Sequence, residues 1–284
     1  MDVPVAELAQ RLVDSIRPFQ RCLVAYSGGV DSAVVAYAAH AALGEEAIAV
    51  TGVSASLASG EHEIAQRVAK AIGIEFVVLA TEEVAAPAYQ RNAPDRCFHC
   101  KSELYAKLQQ EGARRGIEVI LNGANIDDLG DFRPGMKAAA LNGVRSPLAD
   151  CGLTKEAVRA LARHWQIEVW DKPATPCLSS RVSYGVAVTP ARLAMIDQAE
   201  SALRDLGLGN LRVRLHENDL ARLELAVADL PKLADDELRA RIASELRRIG
   251  FRYVTLDLEG FRSGSFQQLV PAEDLQRFEP VRPT

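Results

Sequence analysis

The sequence has no run of about 18 consecutive apolar residues, the length a bilayer span requires, so no segment reads as a transmembrane helix. It also lacks an excess of positive charge. Its 33 Lys and Arg stand against 38 Asp and Glu, a net charge of −5. That balance argues against a protein that grips long nucleic acid over a broad face, because phosphate binding wants a basic surface; a local basic patch stays open. Internal repeats and low-complexity tracts are missing. Five cysteines are present, an odd count that does not make a disulfide framework. The opening MDVPVAELAQRLVDSIRP carries acids and reads as an amphipathic helix rather than a secretory signal. The expectation is a cytoplasmic protein whose Cys22, Cys97, Cys100, Cys151 and Cys177 serve metal binding, thiol chemistry or plain burial.

What is there is an ordinary globular composition, 48% hydrophobic and 25% charged over 284 residues, enough for two domains. The first part alternates strand-like and helix-like stretches. RCLVAYS, AIAVTGVS, EFVVLAT and EVILNGAN read as strands, and IEVWDKP as a further short one. Between them lie helices in DSAVVAYAAHAAL, in EHEIAQRVAKAIG stopped by Gly73, in SELYAKLQQEGARRG closed at Gly116, and in TKEAVRALARHW with Thr154 as N-cap. The strands are Val, Ile and Leu runs without clean alternation, which predicts burial on both faces of a parallel sheet. After residue 185 the pattern changes. A helix in TPARLAMIDQAESALRDLG ends at Gly207, LRVRLHEN and ARLELAV alternate as a hairpin, LADDELRARIASELRRIG is a helix and FRYVTLDLEGF a last strand. The reading is an α/β domain over 1–185, then a smaller α+β domain over 186–284, with a loosely held tail after Val270.

The stretch VAYSGGVDS joins the first strand to its helix. Such a turn points free backbone N–H groups outward at the positive end of a helix dipole, a place that favours an anion. Gly28 and Gly29 allow positive φ and close approach of a phosphate, and Ser27 and Ser32 add hydroxyl donors. Asp31 beside a phosphate makes sense with Mg²⁺ between them, or as a helix cap. No Lys follows in the GxxxxGK[ST] sense, and GxGxxG is absent. SGGxDS after a first strand resembles the pyrophosphate loop of PP-loop ATP pyrophosphatases, which cleave ATP between the α and β phosphates and adenylate an acceptor oxygen. That resemblance implies an adenine nucleotide alpha hydrolase-like fold and an ATP site made of Ser27, Gly28, Gly29, Asp31, Ser32, Asn122 and Asp127.

Three other stretches carry chemistry. In LNGANIDDLGDFRPGMKAA, Asn122, Asp127 and Asp128 sit at the carboxyl end of the fourth strand, where paired acids hold Mg²⁺ or cap the next helix. Arg133 is a candidate for a phosphate or substrate carboxylate, or a surface arginine. In DRCFHCKSELY, Cys97 and Cys100 have a CxxC spacing that suits one metal or a redox pair, with His99 between them pointing away. In DKPATPCLSSR, Cys177 beside Pro176 and near Arg181 is either a reactive thiol, since positive charge lowers thiol pKa, or a packed one. Cys22 within the first strand reads as core, and Cys151 after Asp150, at a helix start, as structural.

Together SGGVDS, NGANxDD, DFRPGMKA, SPLADCGLTKEAVR and PATPCLSSR resemble the LarE family over nearly the whole chain. The resemblance implies an ATP-dependent sulfur transferase that acts on pyridinium-3,5-biscarboxylic acid mononucleotide in nickel-pincer nucleotide biosynthesis, the cofactor of lactate racemase. A substrate carboxylate is adenylated, and sulfur then displaces AMP to give a thiocarboxylate. Two sulfur sources exist in the family. One branch sacrifices a cysteine at the position of Cys177. The other holds a [4Fe–4S] cluster on cysteines at the positions of Cys97, Cys100 and Cys177, and this chain has all three. Zinc with His99 or Cys151 as a fourth ligand remains open. The resemblance also places Glu200, Arg212, Arg214 and Glu224 on the substrate side, with Arg181 and Arg133, and implies a homo-hexamer. Arg212 and Arg214, two apart, share one strand face and suit a phosphate, or are a solvated face.

The rival readings are a tRNA-thiolating PP-loop enzyme, an amide-forming ligase of the NAD synthetase kind, and a nucleotide-binding iron or redox sensor. The first predicts a tight, salt-sensitive tRNA complex. The second leaves the three cysteines without a use. The third predicts ATP binding with no AMP released.

Overall fold

The computed structural model of the chain describes residues 3–129 and 134–262. Arg133 and the tail after Val270 lie outside the described residues. In chain order the elements are α1 (Val5–Ile16), β1 (Cys22–Ala25), α2 (Val30–Leu43), β2 (Ala47–Val53), α3 (Glu61–Ile72), β3 (Glu75–Ala80), α4 (Pro87–Gln90), α5 (Arg96–Arg115), β4 (Ile120–Leu121), α6 (Pro134–Leu141), α7 (Pro147–Asp150) and α8 (Lys155–His164). Then follow α9 (Pro190–Asp205), β5 (Leu211–His216), β6 (Leu220–Leu225), α10 (Asp236–Ile249) and β7 (Tyr253–Leu256).

β1 to β4 form one all-parallel sheet in the order β3-β2-β1-β4. The chain leaves β1 toward β2 and β3, then returns to add β4 on the other side of β1. The carboxyl end of β1 is therefore the topological switch point, where α/β sheets open a crevice for ligands. α2 is apolar all round, and Val30, Ala33, Val34, Val35, Ala36, Ala38 and Ala39 are buried. A helix with no polar stripe belongs inside, and α2 is enclosed by α1, α3, α8 and the sheet. Leu23, Ile48, Val50, Tyr105, Leu108 and Ile120 belong to a separate cluster that includes α5 and α6.

Burial on both faces holds for β1 but not for β3, an edge strand in which Glu75, Val78 and Ala80 are exposed. IEVWDKP is not a strand. Gln166 has φ +55°, and Trp170 N–H and Lys172 N–H donate to the Ile167 and Val169 carbonyls in two successive turns. Ile167 and Val169 are apolar because they bury in the core, without pairing to the sheet. α5 begins earlier than its apolar pattern predicts and takes both CxxC cysteines into its first turn. Cys151 lies at the C-terminal end of α7 rather than at a helix start. Thr154 does cap α8, its hydroxyl accepting from Ala157 N–H.

The second sheet runs β5-β6-β7. β5 and β6 make the expected hairpin, turning through Asn218 and Asp219 at positive φ, while β7 lies parallel to β6 after the α10 crossover. Leu193, Ile196, Leu203, Val213, Leu215, Leu223, Leu246 and Phe251 form its core. Val84 and Tyr89 from the first part, and Leu178 and Val182, bury in that same core. The Cys177 segment is thus held from both sides. Among the described residues no helix is long and apolar enough to cross a membrane.

Candidate active site

Gly28 has φ +71°, a left-handed conformation that needs glycine, and a Cβ there would meet the Ala65 Cα of α3 at 2.8 Å. The turn is therefore pressed between β1 and α3. Gly29 is extended at φ −81° and N-caps α2, with only the Ser27 hydroxyl near a Cβ position. The Ser27 N–H donates to Ser32 Oγ at 3.2 Å, and the Ser32 hydroxyl donates to the Gly29 carbonyl at 3.1 Å. These bonds close the turn on itself at the positive end of α2. On its other side Gly123, just after β4, comes so close that a Cβ would meet Ser32 N at 2.8 Å.

Asp31, in the first turn of α2, is already engaged. Its Oδ1 accepts from Asn125 Nδ2 at 3.1 Å, and its Oδ2 pairs with Lys155 Nζ, the first residue of α8. Lys155 supplies a cation to this turn although no lysine follows the glycines in sequence. Asn122 is buried, and its Oδ1 accepts from Ala124 N–H at 3.1 Å and from the Ser146 hydroxyl at 2.8 Å. The two acids act as caps here. Asp127 Oδ2 accepts the Lys155 N–H at 2.7 Å, and Asp128 Oδ2 accepts the Asn125 N–H at 3.0 Å in a capping box.

The cysteine site lies at the same carboxyl end of the sheet, α5 following β3 and the Cys177 loop bonding Ser56 just past β2. Cys97 is exposed, while Cys100 and Cys177 are half-buried, and all three are free thiols. They stand close enough to act on one another electrostatically, together with Lys101 and Arg96. Burial pushes the Cys100 thiol up to about 12, opposed by Lys101. Lys101 loses by burial but is held above its ordinary value by Tyr105 and the three thiols. His99 turns to Asp95, 3.3 Å away. Cys177 is fixed by its backbone. Arg181 Nη1 donates to the Pro176 carbonyl and, at 3.0 Å, to the Cys177 carbonyl, and Leu178 N–H donates to Ser56 O at 2.8 Å. Ser54 and Ser56 hydroxyls both bond the buried Glu83 carboxylate, at 2.5 and 2.9 Å. Among the described residues no three His, Cys, Asp or Glu side chains are gathered on one point to hold a metal ion. Cys22 is fully buried, and desolvation raises its thiol to about 12.

Behind Cys177 lies a buried ion network. Arg181 Nε pairs with Glu200 Oε1 at 3.1 Å, both nearly inaccessible. Arg214 pairs with the fully buried Glu224 at 2.8 Å and donates to the Ser180 carbonyl at 2.9 Å. Arg222 meets Glu224 from the other side at 3.2 Å. Arg212 differs. It donates to the Ala174 carbonyl at 3.1 Å and stacks over Phe261, with no carboxylate in ion-pair contact among the described residues. Desolvation and then Arg181 lower its guanidinium to about 10. Of the six residues expected on the substrate side, Arg181, Glu200, Arg214 and Glu224 are thus paired within the protein, Arg133 lies outside the described residues, and Arg212 has no ion-pair contact among the described residues, feeling Glu200 and Glu224 only at longer range. Lys155, Asn125, Lys101, Arg96 and Glu83 escaped the sequence reading. Only Lys101 had a local signal, its place directly after CxxC.

The NAD synthase family model matches residues 5–109. An uncharacterised protein of Synechocystis is 42% identical over 91% of this chain and 97% of its own length. The pyridinium-3,5-bisthiocarboxylic acid mononucleotide synthase of Lactiplantibacillus plantarum is 35% identical over 94% of this chain and 96% of its own. An uncharacterised protein of Methanocaldococcus jannaschii is 28% identical over 86% of this chain and 92% of its own. With the glycine turn at the switch point of a parallel sheet and this likeness over the whole length, the chain belongs to the LarE family of PP-loop, ATP-dependent enzymes.

Proposed function

We propose that this enzyme is a sulfur transferase that activates the carboxylates of pyridinium-3,5-biscarboxylic acid mononucleotide with ATP and converts them to thiocarboxylates. The observation that carries the reading is that Cys97, Cys100 and Cys177 lie within electrostatic reach of one another and of Lys101 and Arg96, at the carboxyl end of the parallel sheet where the glycine turn also lies. The name of the Lactiplantibacillus relative states a bisthiocarboxylic product, whose oxygen precursor is the biscarboxylic acid.

ATP sits with its phosphates on Ser27, Gly28, Gly29, Asp31 and Ser32, flanked by Asn122 and Asp127. A substrate carboxylate oxygen attacks the α-phosphorus and pyrophosphate leaves. Backbone N–H groups at the start of α2 stabilise the developing charge. Asp31 would hold Mg²⁺, which supplies further charge neutralisation when bound. Lys155 screens the same carboxylate, so the pair is set to exchange partners as phosphates arrive. Sulfur then bonds the acyl carbon and AMP leaves.

The donor set at the second centre is all sulfur with two flanking cations, which fits an anionic iron–sulfur group. Cys97, Cys100 and Cys177 would hold a [4Fe–4S] cluster, and with three thiolates one iron keeps a position open for an extra sulfide. Arg212 binds the mononucleotide phosphate, supported by its having no ion-pair contact among the described residues, while Arg181, Arg214, Glu200 and Glu224 build the wall behind it. Arg133 completes the substrate side. The reading divides the chain into an ATP-binding unit over 1–185 and a substrate and assembly unit over 186–284, in a cytoplasmic homo-oligomer. Its acidic net charge and free thiols support that setting.

The test is a reaction of anaerobic protein with ATP, Mg²⁺ and the biscarboxylic mononucleotide. AMP, pyrophosphate and a product with sulfur in place of oxygen are expected. AMP formed with an amide product, or with thiolated tRNA only, would overturn the reading.

A further inference from the structure

The two parts of the cysteine site come from distant stretches of chain, and a buried set of polar side chains joins them. Arg96 is the first residue of α5, directly before Cys97. Its Nη1 donates to the Ser179 carbonyl at 2.7 Å and to Asn92 Oδ1. The Asn92 amide donates onward to the carbonyls of Val182, Ser183 and Val186 at 3.2, 2.8 and 3.0 Å. The Tyr89 and Ser179 hydroxyls bond each other at 2.6 Å. Relative exposure is 1% for Tyr89, 0% for Asn92, 5% for Arg96 and 0% for Ser179. Asn92 also takes φ +53°, a left-handed backbone that Asn tolerates better than most side chains.

Four buried polar groups are a poor way to fill space. An apolar set of the same shape stabilises a core as well or better, whereas breaking one partner of a polar set leaves the other unsatisfied. What such a set does supply is a single geometry. Arg96 shows a further anomaly. It is a permanent cation with no carboxylate in ion-pair contact among the described residues, and the acidic groups facing it are Cys97, Cys177, Tyr89 and Tyr184. Its Nη1 donates to neutral acceptors, Asn92 on its own side and the Ser179 carbonyl on the Cys177 side, and its charge faces the thiols.

We propose that Tyr89, Asn92, Arg96 and Ser179 form a latch that fixes the Cys177 loop against the first turn of α5, making them positioning residues for the sulfur site. Arg181 and Arg214 hold the same loop to the second sheet, and Ser56 holds it to the end of β2. Cys100 packs against the same core as Leu178 and Val182, and the latch adds buried hydrogen bonds from the start of the CxxC helix and the turn before it to the loop, so it fixes the spacing between Cys177 and the other two thiols. This rests on the reading of the three cysteines as one centre.

The test uses iron-free full-length protein in which Cys22 and Cys151 are replaced by Ala and Cys100 by Ser, leaving Cys97 and Cys177. Dibromobimane, which fluoresces on bridging two thiols, reads their juxtaposition. Arg96→Met is expected to slow bridging by about tenfold and Tyr89→Phe by about fivefold, the loss set by one or two buried hydrogen bonds. Arg96→Lys, which keeps the charge and one bond, recovers part of the rate. ATP affinity stays at the parental level in both variants, and simple alkylation of Cys97 stays there in Tyr89→Phe; Arg96→Met strips Cys97 of a neighbouring cation, so its bridging is read relative to its own Cys97 alkylation rate. Bridging that stays at the parental rate in Arg96→Met or Tyr89→Phe overturns the latch. So does a parallel loss of ATP affinity in Tyr89→Phe, which would mean general loosening. Should Arg96→Met fail to fold, Tyr89→Phe decides. Iron content of the unmutated chain is measured separately. Absence of iron would sink the cluster reading while the bridging rates still decide the latch.

Discussion

Replacing each glycine of the turn by alanine separates the two jobs of SGGVDS. At Gly28 the backbone is left-handed, which costs an L-residue about 1–2 kcal/mol. The new Cβ also falls 2.8 Å from the Ala65 Cα and Cβ. That neighbour is helix backbone and cannot swing aside, so overpacking adds about 1–3 kcal/mol. Gly28→Ala should therefore lose about 2–5 kcal/mol, a large part of the roughly 5–15 kcal/mol that holds a domain folded. At Gly29 the same change is mild. Its φ of −81° suits any residue, and a Cβ meets nothing closer than Ser27 Oγ at 3.5 Å. Losing a glycine N-cap costs about 0.5–1 kcal/mol and the stiffer unfolded chain returns a similar amount. Gly29→Ala should unfold within about 0.5 kcal/mol of the parent. Its methyl group nevertheless stands where a phosphate approaches the N–H groups, so ATP affinity should fall by about tenfold or more. Urea unfolding reads the first quantity and calorimetric titration with ATP the second. Equal unfolding midpoints for the two variants would refute the packing argument. Unchanged ATP affinity in Gly29→Ala would refute the phosphate assignment.

Three further outcomes follow from contacts named above. Lys155→Met strips Asp31 of its cation while leaving Asn125 in place, and AMP formation should fall about a hundredfold; a normal rate would remove Lys155 from the site. His216 is held below its ordinary value by desolvation, then by Arg222 and Arg214, and its Nε2 accepts from Arg222 Nε at 3.1 Å. The unfolded chain therefore takes up a proton more readily, so stability falls as pH drops below about 6.5. His216→Gln should flatten that loss, measured as the difference in urea midpoint between about pH 7.5 and 5.5; an unchanged slope would contradict it. Cys22, with no accessible surface and its thiol raised by burial, should resist iodoacetamide at about pH 8, while Cys97, which has exposed surface, reacts in iron-free protein. Labelled Cys22 in folded protein would contradict this.

The parts of this fold that were legible in sequence are those written locally. The strands of the parallel sheet announce themselves as apolar runs, and Thr154 and Gly73 punctuate helices through chemistry confined to one turn. The glycine turn is legible because its function needs particular residues side by side. IEVWDKP misled because a short apolar run signals burial, and Ile167 and Val169 bury through turns as well as a strand would. The start of α5 was hidden because RCFHC is no strong helix former, and its position is set by tertiary contacts of Arg96. Lys155 and the latch residues left no trace at all. Lys155 reads as one more exposed helix lysine until folding brings Asp31 to it, and Asn92 reads as a loop residue until three carbonyls from beyond Cys177 converge on its amide. Such roles exist only in contacts between residues distant in the chain.

The most direct test of the account is an anaerobic preparation of the unmutated chain, with iron and acid-labile sulfide counted per chain and Cys177 followed by mass before and after one turnover. The account predicts about four irons per chain, their loss on Cys97→Ala, and a Cys177 of unchanged mass once the thiocarboxylate has formed. Iron-free protein that makes one thiolated product per chain, with Cys177 lighter by the mass of H₂S, would contradict it and make the cysteine itself the sulfur donor.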